Sequence, residues 1–409
     1  MECNQTKLQK FEFLNNLDTG VMKILVPFLV VKLGISIGAF GFALSLKPLM
    51  DLMFRYVASY LSDKFGRKTI AILGQVLGAM ALLGYAFMSN VYHYIIIESF
   101  RALSAVIFEP SYNAWKKESC ANEQRVDFIM KLGRSRIIGT AVGGVVTVLS
   151  SLLIRLYDVT IWGVKLNEQH FFFAFFLLEL SAVLLLFMMK ETGAKKIPGA
   201  VEVKIKESVH SWQGYLFMLC NAFGLGITGA IALPFTAAYM TESLNLSMDI
   251  MGAAFAISSV MAVLVAQKWV SELKYYRPFK IIGILLALEG VTSFFIPLAD
   301  GVILFTLIWL VYQTFQTSID VLNAAQEQRI VKNNTAQLLQ FLGFSASVGM
   351  ILGSNLGGFI WENVGGLYTY WMAGILIFSL SIVELVYDYL TQNLEFSMPV
   401  NKKKDVVEG

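Results

Sequence analysis

The stretch "YLSDKFGRKTIAIL" spans Tyr60 to Leu73 and lies between two long apolar runs. Its centre holds Gly66, a residue type that permits tight reversals of the backbone. Four charged residues flank this glycine within six positions: Asp63, Lys64, Arg67 and Lys68. The pattern predicts a short charged loop that joins two long apolar helices.

The composition of the whole chain indicates an integral membrane protein. The 409 residues are 56% hydrophobic and 15% charged, with a mean hydropathy of +0.63, whereas a soluble chain carries about 25% charged residues. We expect an all-α integral membrane protein with twelve transmembrane helices, since apolar runs near the ~20 residues that cross a hydrocarbon core recur along the chain. They lie at roughly 11–33, 38–61, 68–88, 91–114, 131–154, 170–190, 211–240, 247–270, 278–298, 301–325, 335–360 and 366–390.

Basic residues concentrate in alternate loops between these runs. The loop that contains Arg67 belongs to the basic set, whereas the opposite set offers little beyond Lys32, Arg155 and Lys165. Cytoplasmic loops of membrane proteins carry an excess of Lys and Arg. We therefore expect a multi-pass protein of the cell membrane with both termini in the cytoplasm.

A long polar interval divides the chain into two sets of six spans. It contains Gly, Pro and alternating charges, which are typical of a linker. The expected parts are an N-terminal six-helix half at 1–190, a cytoplasmic linker at 191–210, a C-terminal six-helix half at 211–392 and a cytoplasmic tail at 393–409.

The two halves resemble each other at corresponding positions. "SDKFGRKTIAILG" (62–74) after the second span matches "SELKYYRPFKIIG" (271–283) after the eighth. "SRIIGTAVGG" (135–144) in the fifth span matches "GMILGSNLGG" (349–358) in the eleventh. Such an internal repeat is typical of transporters built from two parallel halves.

These features together resemble the major facilitator superfamily, whose loop pattern is G-x-L-x-D-x-x-G-R-K/R. Ser59 replaces its first glycine, and the remaining positions match at Leu61, Asp63, Gly66, Arg67 and Lys68. The resemblance implies that Asp63, Gly66, Arg67 and Lys68 form a conformational latch between the halves. The alternative is a plain topology anchor, which needs only the positive charges.

Several charged residues lie inside the predicted spans, where each costs about 2.5–3.5 kcal/mol on insertion scales unless it faces a cavity or a partner. Lys47, Asp51 and Arg55 follow at i, i+4 and i+8, so they share one helix face. They form either structural ion pairs or part of the substrate cavity, and both interpretations remain open.

Two further motifs resemble those of the drug/proton antiporters within the same superfamily. "LDTGVMKILVP" (17–27) is similar to L-D-x-T-V-x-N-V-A-L-P, and "IESFRALSAVIFEP" (97–110) is similar to the fourth-span pattern that contains Arg101. The resemblance implies that one carboxylate carries a proton and that the arginine tunes it. The candidates are Asp18, Glu98 and Glu109, with Arg101 beside them.

The glycine repeats have two interpretations. The fifth-span pattern resembles the antiporter motif G-x-x-x-G-P-x-x-G-G, but Thr140 replaces its proline. The simpler interpretation is close helix packing through small residues. It assigns this role to Gly139, Gly143, Gly144, Gly349, Gly353 and Gly357.

Aromatic and amide side chains suggest a wall of the substrate cavity. Tyr312, Gln313 and Gln316 lie in the middle of one span. An apolar aromatic cavity with one or two carboxylates suits lipophilic cations, and efflux of such molecules in exchange for protons is the leading hypothesis.

Two other functions are compatible with the sequence. The basic residues Lys47, Arg55 and Arg101 favour a carrier of carboxylate- or phosphate-bearing metabolites. A membrane receptor or scaffold without transport is a minor third hypothesis.

Other function classes are disfavoured. The chain has no P-loop pattern for ATP, and its three histidines and three cysteines show no metal-ligand spacing. We expect no enzyme activity, no cofactor, no metal and no nucleic-acid partner. The expected partners are a small-molecule substrate, protons and the lipid bilayer, and a monomer suffices for the fold.

Overall fold

A computed structural model describes residues 2–118, 125–157, 160–161, 164–165, 167–189, 212–273, 278–330 and 335–391. The predicted linker at 191–210 lies outside the described residues, and so does the predicted tail at 393–409.

The described residues form α-helices almost throughout, with one short antiparallel hairpin of β1 (Thr160–Ile161) and β2 (Val164–Lys165). The helices are α1 Glu2–Lys32, α2 Ile37–Phe65, α3 Arg67–Tyr85, α4 Val91–Glu118, α5 Arg125–Tyr157, α6 Phe171–Phe187, α7 Trp212–Ile231, α8 Thr236–Glu242, α9 Met248–Leu273, α10 Pro278–Phe295, α11 Val302–Ile330, α12 Thr335–Asn363 and α13 Gly366–Thr391.

Within the described residues, eleven helical segments are long and apolar enough to cross a membrane. One of them, Leu216–Glu242, joins most of α7 to α8 through a 3-10 turn at Leu233–Phe235 that contains Pro234. In α9 only the shorter stretch Met248–Ala262 has the same apolar character. The all-helical membrane architecture is therefore confirmed, and the twelfth span stays a prediction.

Gly66 allows the tight reversal between α2 and α3. Its φ of 94° lies in the left-handed region, which favours glycine. Its backbone N–H donates to the carbonyl oxygen of Ser62 at 3.1 Å, and α3 begins at the next residue. The charged loop quoted above is consequently almost as short as a helix junction can be.

Helix contacts follow the same scheme in both parts of the chain. α1 packs against α5, and α7 packs against α12 in the same way six spans later. α2 packs against α4 as α9 packs against α11, and α3 against α6 as α10 against α13. The two parts meet through α2 against α12 and α5 against α9.

Glycines bring the helices of these pairs into backbone contact. An added Cβ at Gly139 or Gly143 of α5 would collide with the carbonyl oxygen of Phe13 or Leu17 of α1. In the other part, Gly349, Gly353 and Gly357 of α12 lie in the same way against the carbonyl oxygens of Phe223, Ile227 and Ile231 of α7. This geometry is the close approach that small residues permit between membrane helices.

The second glycine of each Gly-Gly pair faces the other part of the chain. A Cβ on Gly144 would lie 3.0 Å from the Cβ of Ala256 in α9, and one on Gly358 would lie 3.2 Å from the Cα of Gly41 in α2. α5 and α12 therefore each touch one partner within their own part and one partner across the interface.

A glycine exchange tests this packing. We expect Gly143→Ala to lower the free energy of unfolding by about 1–3 kcal/mol, because the new methyl group forces α1 and α5 apart. The matched control is Gly133→Ala on the same helix, where no described atom lies within 4 Å of an added Cβ. Thermal unfolding in detergent measures both, and equal stability of the two variants would contradict the packing argument.

Candidate functional site

The middle of α1 faces polar groups from several helices. Asp18 lies in this segment; its Oδ1 is buried, and the described residues offer it no hydrogen-bond partner. The carboxylate interacts electrostatically with Arg101 of α4. Lys23, five residues further, is exposed although it lies in the middle of an apolar helix.

Lys23 connects the two parts of the chain electrostatically. It interacts with Asp320 of α11, and it is also influenced by Arg136 of α5. Asp320 is likewise exposed within its helix. An exposed charge in a span must face either lipid or an aqueous cavity, and the interaction across the interface indicates the cavity.

A buried polar cluster extends from α1 to α6. The Nε2 of Gln75 in α3 donates to the Oδ1 of Asn15 at 2.9 Å and to the Oε1 of Glu179 in α6. Asn15 lies three residues before Asp18, so both side chains lie on the same face of α1. We call Asn15, Asp18, Gln75 and Glu179 the buried carboxyl cluster.

Glu98 and Arg101 form an ion pair within α4. The Nε of Arg101 lies 3.0 Å from the Oε2 of Glu98, and the hydroxyl of Tyr85 donates to the Oε1. Glu98 is buried, whereas the side chain of Arg101 is half exposed. Two of the predicted proton-coupling residues are thus bound to each other.

The charged ladder of α2 divides between two partners. Arg55 binds Asp51 through its Nε at 2.8 Å, with a second contact through Nη2. Lys47 instead binds Glu109 of α4, with 2.7 Å between Nζ and Oε1. Asp51 therefore pairs with Arg55 only. The cationic partner of Glu109 comes from α2 and not from its own helix, α4.

The Asp51–Arg55 pair also lies at the interface between the two parts. The Oγ of Ser347 in α12 lies 3.4 Å from the Oδ2 of Asp51. A Cβ on Gly343 of the same helix would meet the Nη1 of Arg55 at 2.7 Å. This ion pair is therefore positioned to respond to movement of α12.

One of the three predicted cavity-wall residues is buried. Tyr312 is only 2% exposed and stacks on Trp309, with 5.4 Å between ring centroids. Gln313 and Gln316 are partly exposed. Of the three predicted residues, the two glutamines are therefore the ones accessible from a cavity.

The predicted latch residues have contacts within their own part of the chain. Arg67 Nη2 lies 3.7 Å from the Oδ1 of Asp63, which is largely exposed. Lys68 donates to the carbonyl oxygens of Phe187 and Met189 at 2.8 and 2.7 Å. Since a cation at a helix C-terminus is favourable, Lys68 ties the start of α3 to the end of α6.

The described residues contain no cluster of three or more His, Cys, Asp or Glu side chains that could hold a metal ion.

A sequence model of the Major Facilitator Superfamily matches residues 12–339. The chain belongs to the Major Facilitator Superfamily. Family membership confirms the resemblance drawn from the Tyr60–Leu73 stretch, and it indicates a multi-pass membrane transporter and not an enzyme.

One curated relative of this transporter is an uncharacterized MFS-type transporter, YqjV, from Bacillus subtilis (strain 168). The two are 25% identical over 105 residues, which span 25% of this chain and 26% of the relative. Such a short match does not assign a substrate.

Solved structures share the fold of this transporter. A mutant of the nucleoside transporter NupG has a TM-score of 0.71 at 14% identity, covering 95% of this chain and 99% of that one. A D-xylose-proton symporter has a TM-score of 0.70 at 14% identity, with coverage of 93% and 97%. The human organic anion transporter MFSD10 (TETRAN) has a TM-score of 0.64 at 12% identity, with coverage of 93% and 99%.

Sequence reasoning missed Glu12 of this transporter, and it noticed Glu179 inside a span without giving it a role in the site. Glu12 of α1 is bound by Lys116 at 3.1 Å and lies 4.0 Å from Arg136. Glu179 is the only charged residue in the apolar run of α6, Phe171–Phe187. That isolation was a visible signal, but the partner Gln75 lies 104 positions away in the sequence and appears only in the fold.

Removing one member of the Glu98–Arg101 pair tests how much the pair contributes to the stability of the fold. We expect Arg101→Ala to lower the free energy of unfolding by on the order of 3 kcal/mol, because Glu98 would be left buried without its cation. The double variant Glu98→Gln, Arg101→Ala should recover part of this loss.

The control for this experiment is Lys47→Ala, since the Lys47–Glu109 pair is half exposed. Its effect should stay within about 1 kcal/mol. Denaturant unfolding in detergent measures all three variants, and an Arg101→Ala effect no larger than the control would contradict the assignment.

Proposed function

We propose that this protein is a secondary active transporter that works by alternating access and is coupled to protons. Two six-helix halves move against each other around a midplane site in such carriers. The observation that carries the proposal is Asp18, a carboxyl group in the middle of α1 with a buried oxygen that has no described hydrogen-bond partner. A carboxyl group in such surroundings can bind and release a proton as its environment changes.

The arrangement of partners supports Asp18 over the other two candidates. Glu98 is bound by Arg101 and Glu109 is bound by Lys47, so each of these two carboxylates already has a cationic partner. Asp18 interacts with Arg101 only electrostatically, while that arginine is already engaged by Glu98. Movement of Arg101 toward or away from Asp18 would change how readily Asp18 holds a proton.

The leading substrate class is a lipophilic or cationic small molecule, exported in exchange for protons. The motif resemblance of the 17–27 stretch supports it, and so does the neutralisation of the basic residues inside the spans. Lys47, Arg55 and Arg101 each have a carboxylate partner. They are therefore less available to hold an anionic substrate.

The second candidate is a proton-coupled carrier of metabolites or organic anions. Its specific support is the exposure of Lys23 and Arg136, two cations of α1 and α5 that influence each other electrostatically. Two accessible cations could bind a carboxylate or phosphate group. A transport-inactive receptor or scaffold is the minor third candidate, and any substrate-driven flux would exclude it.

Proton flux in proteoliposomes tests the proposal. With a pH-sensitive dye inside the vesicles, we expect a lipophilic cation to drive proton movement in the opposite direction for the wild type. Asp18→Asn should abolish this flux, because the amide cannot bind the transported proton. The matched control Asp300→Asn changes an exposed aspartate outside the spans and should retain it.

Small organic anions form the second arm of the same experiment. Proton movement driven by an anion and insensitive to Asp18→Asn would overturn the antiporter proposal and favour the second candidate. Absence of flux with either class would favour a protein without transport.

The latch proposal makes a separate prediction for Asp63. If Asp63 and Arg67 stabilise one conformation of the carrier, Asp63→Asn should slow transport about 5-fold or more, within the usual range of conformational coupling energies. Lys64→Gln is the control, because this exposed lysine contacts only the rings of Tyr60 and Phe65 in the described structure. A wild-type transport rate for Asp63→Asn would contradict the latch and favour the alternative, in which this loop only anchors the topology.

A further inference from the structure

Glu179 is a second buried carboxyl group that needs an explanation. It lies in the apolar helix α6 and is only 4% exposed. Its Oε1 accepts a hydrogen bond from Gln75, whereas its Oε2 is buried without a partner among the described residues. An ionised carboxylate with an unsatisfied oxygen in such surroundings would be strongly disfavoured.

Asp18 belongs to the same buried cluster as this group. Gln75 bridges Asn15 and Glu179, and Asn15 is one helical turn from Asp18. The two carboxyl groups interact electrostatically, and the Oδ1 of Asp18 is likewise buried without a described partner. α1 and α6 therefore each contribute one incompletely bonded carboxyl group to the same interior region.

Two carboxyl oxygens of the cluster, one on Asp18 and one on Glu179, have no hydrogen-bond donor among the described residues. An amide group has two N–H hydrogens, and Gln75 directs its Nε2 toward the oxygens of Asn15 and Glu179. No described donor reaches the free oxygens of Asp18 and Glu179. A proton bound to either carboxyl group would supply a donor and would remove the repulsion between two negative charges.

The other charged groups around the cluster do not replace this proton. From α4, Arg101 acts on Asp18, but it is bound at 3.0 Å to Glu98. From α3, Tyr85 donates to the same Glu98. The cation that acts on Asp18 is therefore shared with another carboxylate and does not neutralise both Asp18 and Glu179.

We propose that Asp18 and Glu179 together form one proton-binding site, in which a single proton is shared by the two carboxyl groups and Gln75 positions Glu179. Proton binding converts two carboxylates into one carboxylate and one carboxylic acid, and release to water reverses this step. The transport role of the site rests on the proposed function, whereas the shared proton is a property of the protein at rest.

Infrared difference spectroscopy of the purified full chain tests the shared proton. A protonated carboxyl group has a C=O stretch distinct from that of a carboxylate, and we expect such a band to disappear as the pH is raised. Because the pair titrates as a unit, Asp18→Asn and Glu179→Gln should each remove this band or move its titration midpoint by about one pH unit or more. Gln75→Leu, a change in a positioning residue, should also shift the midpoint.

Glu384→Gln is the matched control. Glu384 is a fully buried glutamate in α13, and neither of its carboxylate oxygens has a hydrogen-bond partner among the described residues. This exchange removes any acid band of Glu384 itself, but the band that responds to Asp18→Asn should remain unchanged. A titration of Glu179→Gln identical to that of the wild type would overturn the proposal.

The transport assay separates this inference from the proposed function. If the acid band behaves as expected but no substrate drives proton flux, the shared proton site is supported and the carrier function is contradicted. In the opposite case, the flux depends on Asp18, but Glu179→Gln keeps the wild-type proton stoichiometry and an unchanged acid band. This result would support the carrier and contradict the shared proton site. Should Glu179→Gln fail to fold, Gln75→Leu decides the question in protein of unchanged thermal stability. A shifted titration midpoint of the band supports the shared proton, and an unchanged midpoint overturns it.

Discussion

The need to neutralise charge in a hydrocarbon environment organises the N-terminal part of this transporter. Lys47, Arg55 and Arg101 lie within membrane helices, and each contacts a carboxylate. An isolated charge at the bilayer centre costs about 2.5–3.5 kcal/mol on insertion scales, so these pairs determine which faces of α2 and α4 can point inward. Asp18 and Glu179 remain incompletely bonded after this pairing, and they are the groups to which we assign the proposed proton site.

Close backbone contact provides the complementary constraint. Gly143 and Gly357 hold α5 and α12 against α1 and α7, while the adjacent Gly144 and Gly358 face the opposite part of the chain. The repeated Gly-Gly pairs thus bring α5 and α12 each into close contact with one helix of their own part and with one helix of the opposite part.

The sequence predicted those features that depend on local spacing or on apolar length. Apolar runs indicated the helices, and short spacings along one helix anticipated the proximity of Asp51 to Arg55. Which side chains of different helices contact each other could not be predicted from the sequence, because these contacts depend on how the helices rotate and pack. Lys47 and Glu109 are 62 positions apart, and Gln75 and Glu179 are 104 apart. Glu12 was missed for the same reason, since its cations lie on α4 and α5.

The shared proton would also explain why Glu179 is compatible with α6. A leucine at this position would suit the surrounding phenylalanines and leucines better, so a buried acid there is destabilising unless it is neutral or bonded. With one proton, the Asp18–Glu179 pair carries a single negative charge near Arg101, and without it the pair carries two. The electrostatic attraction toward Arg101 would then differ between the two states, which gives proton binding a direct means to alter the packing of α1 against α4 and α6.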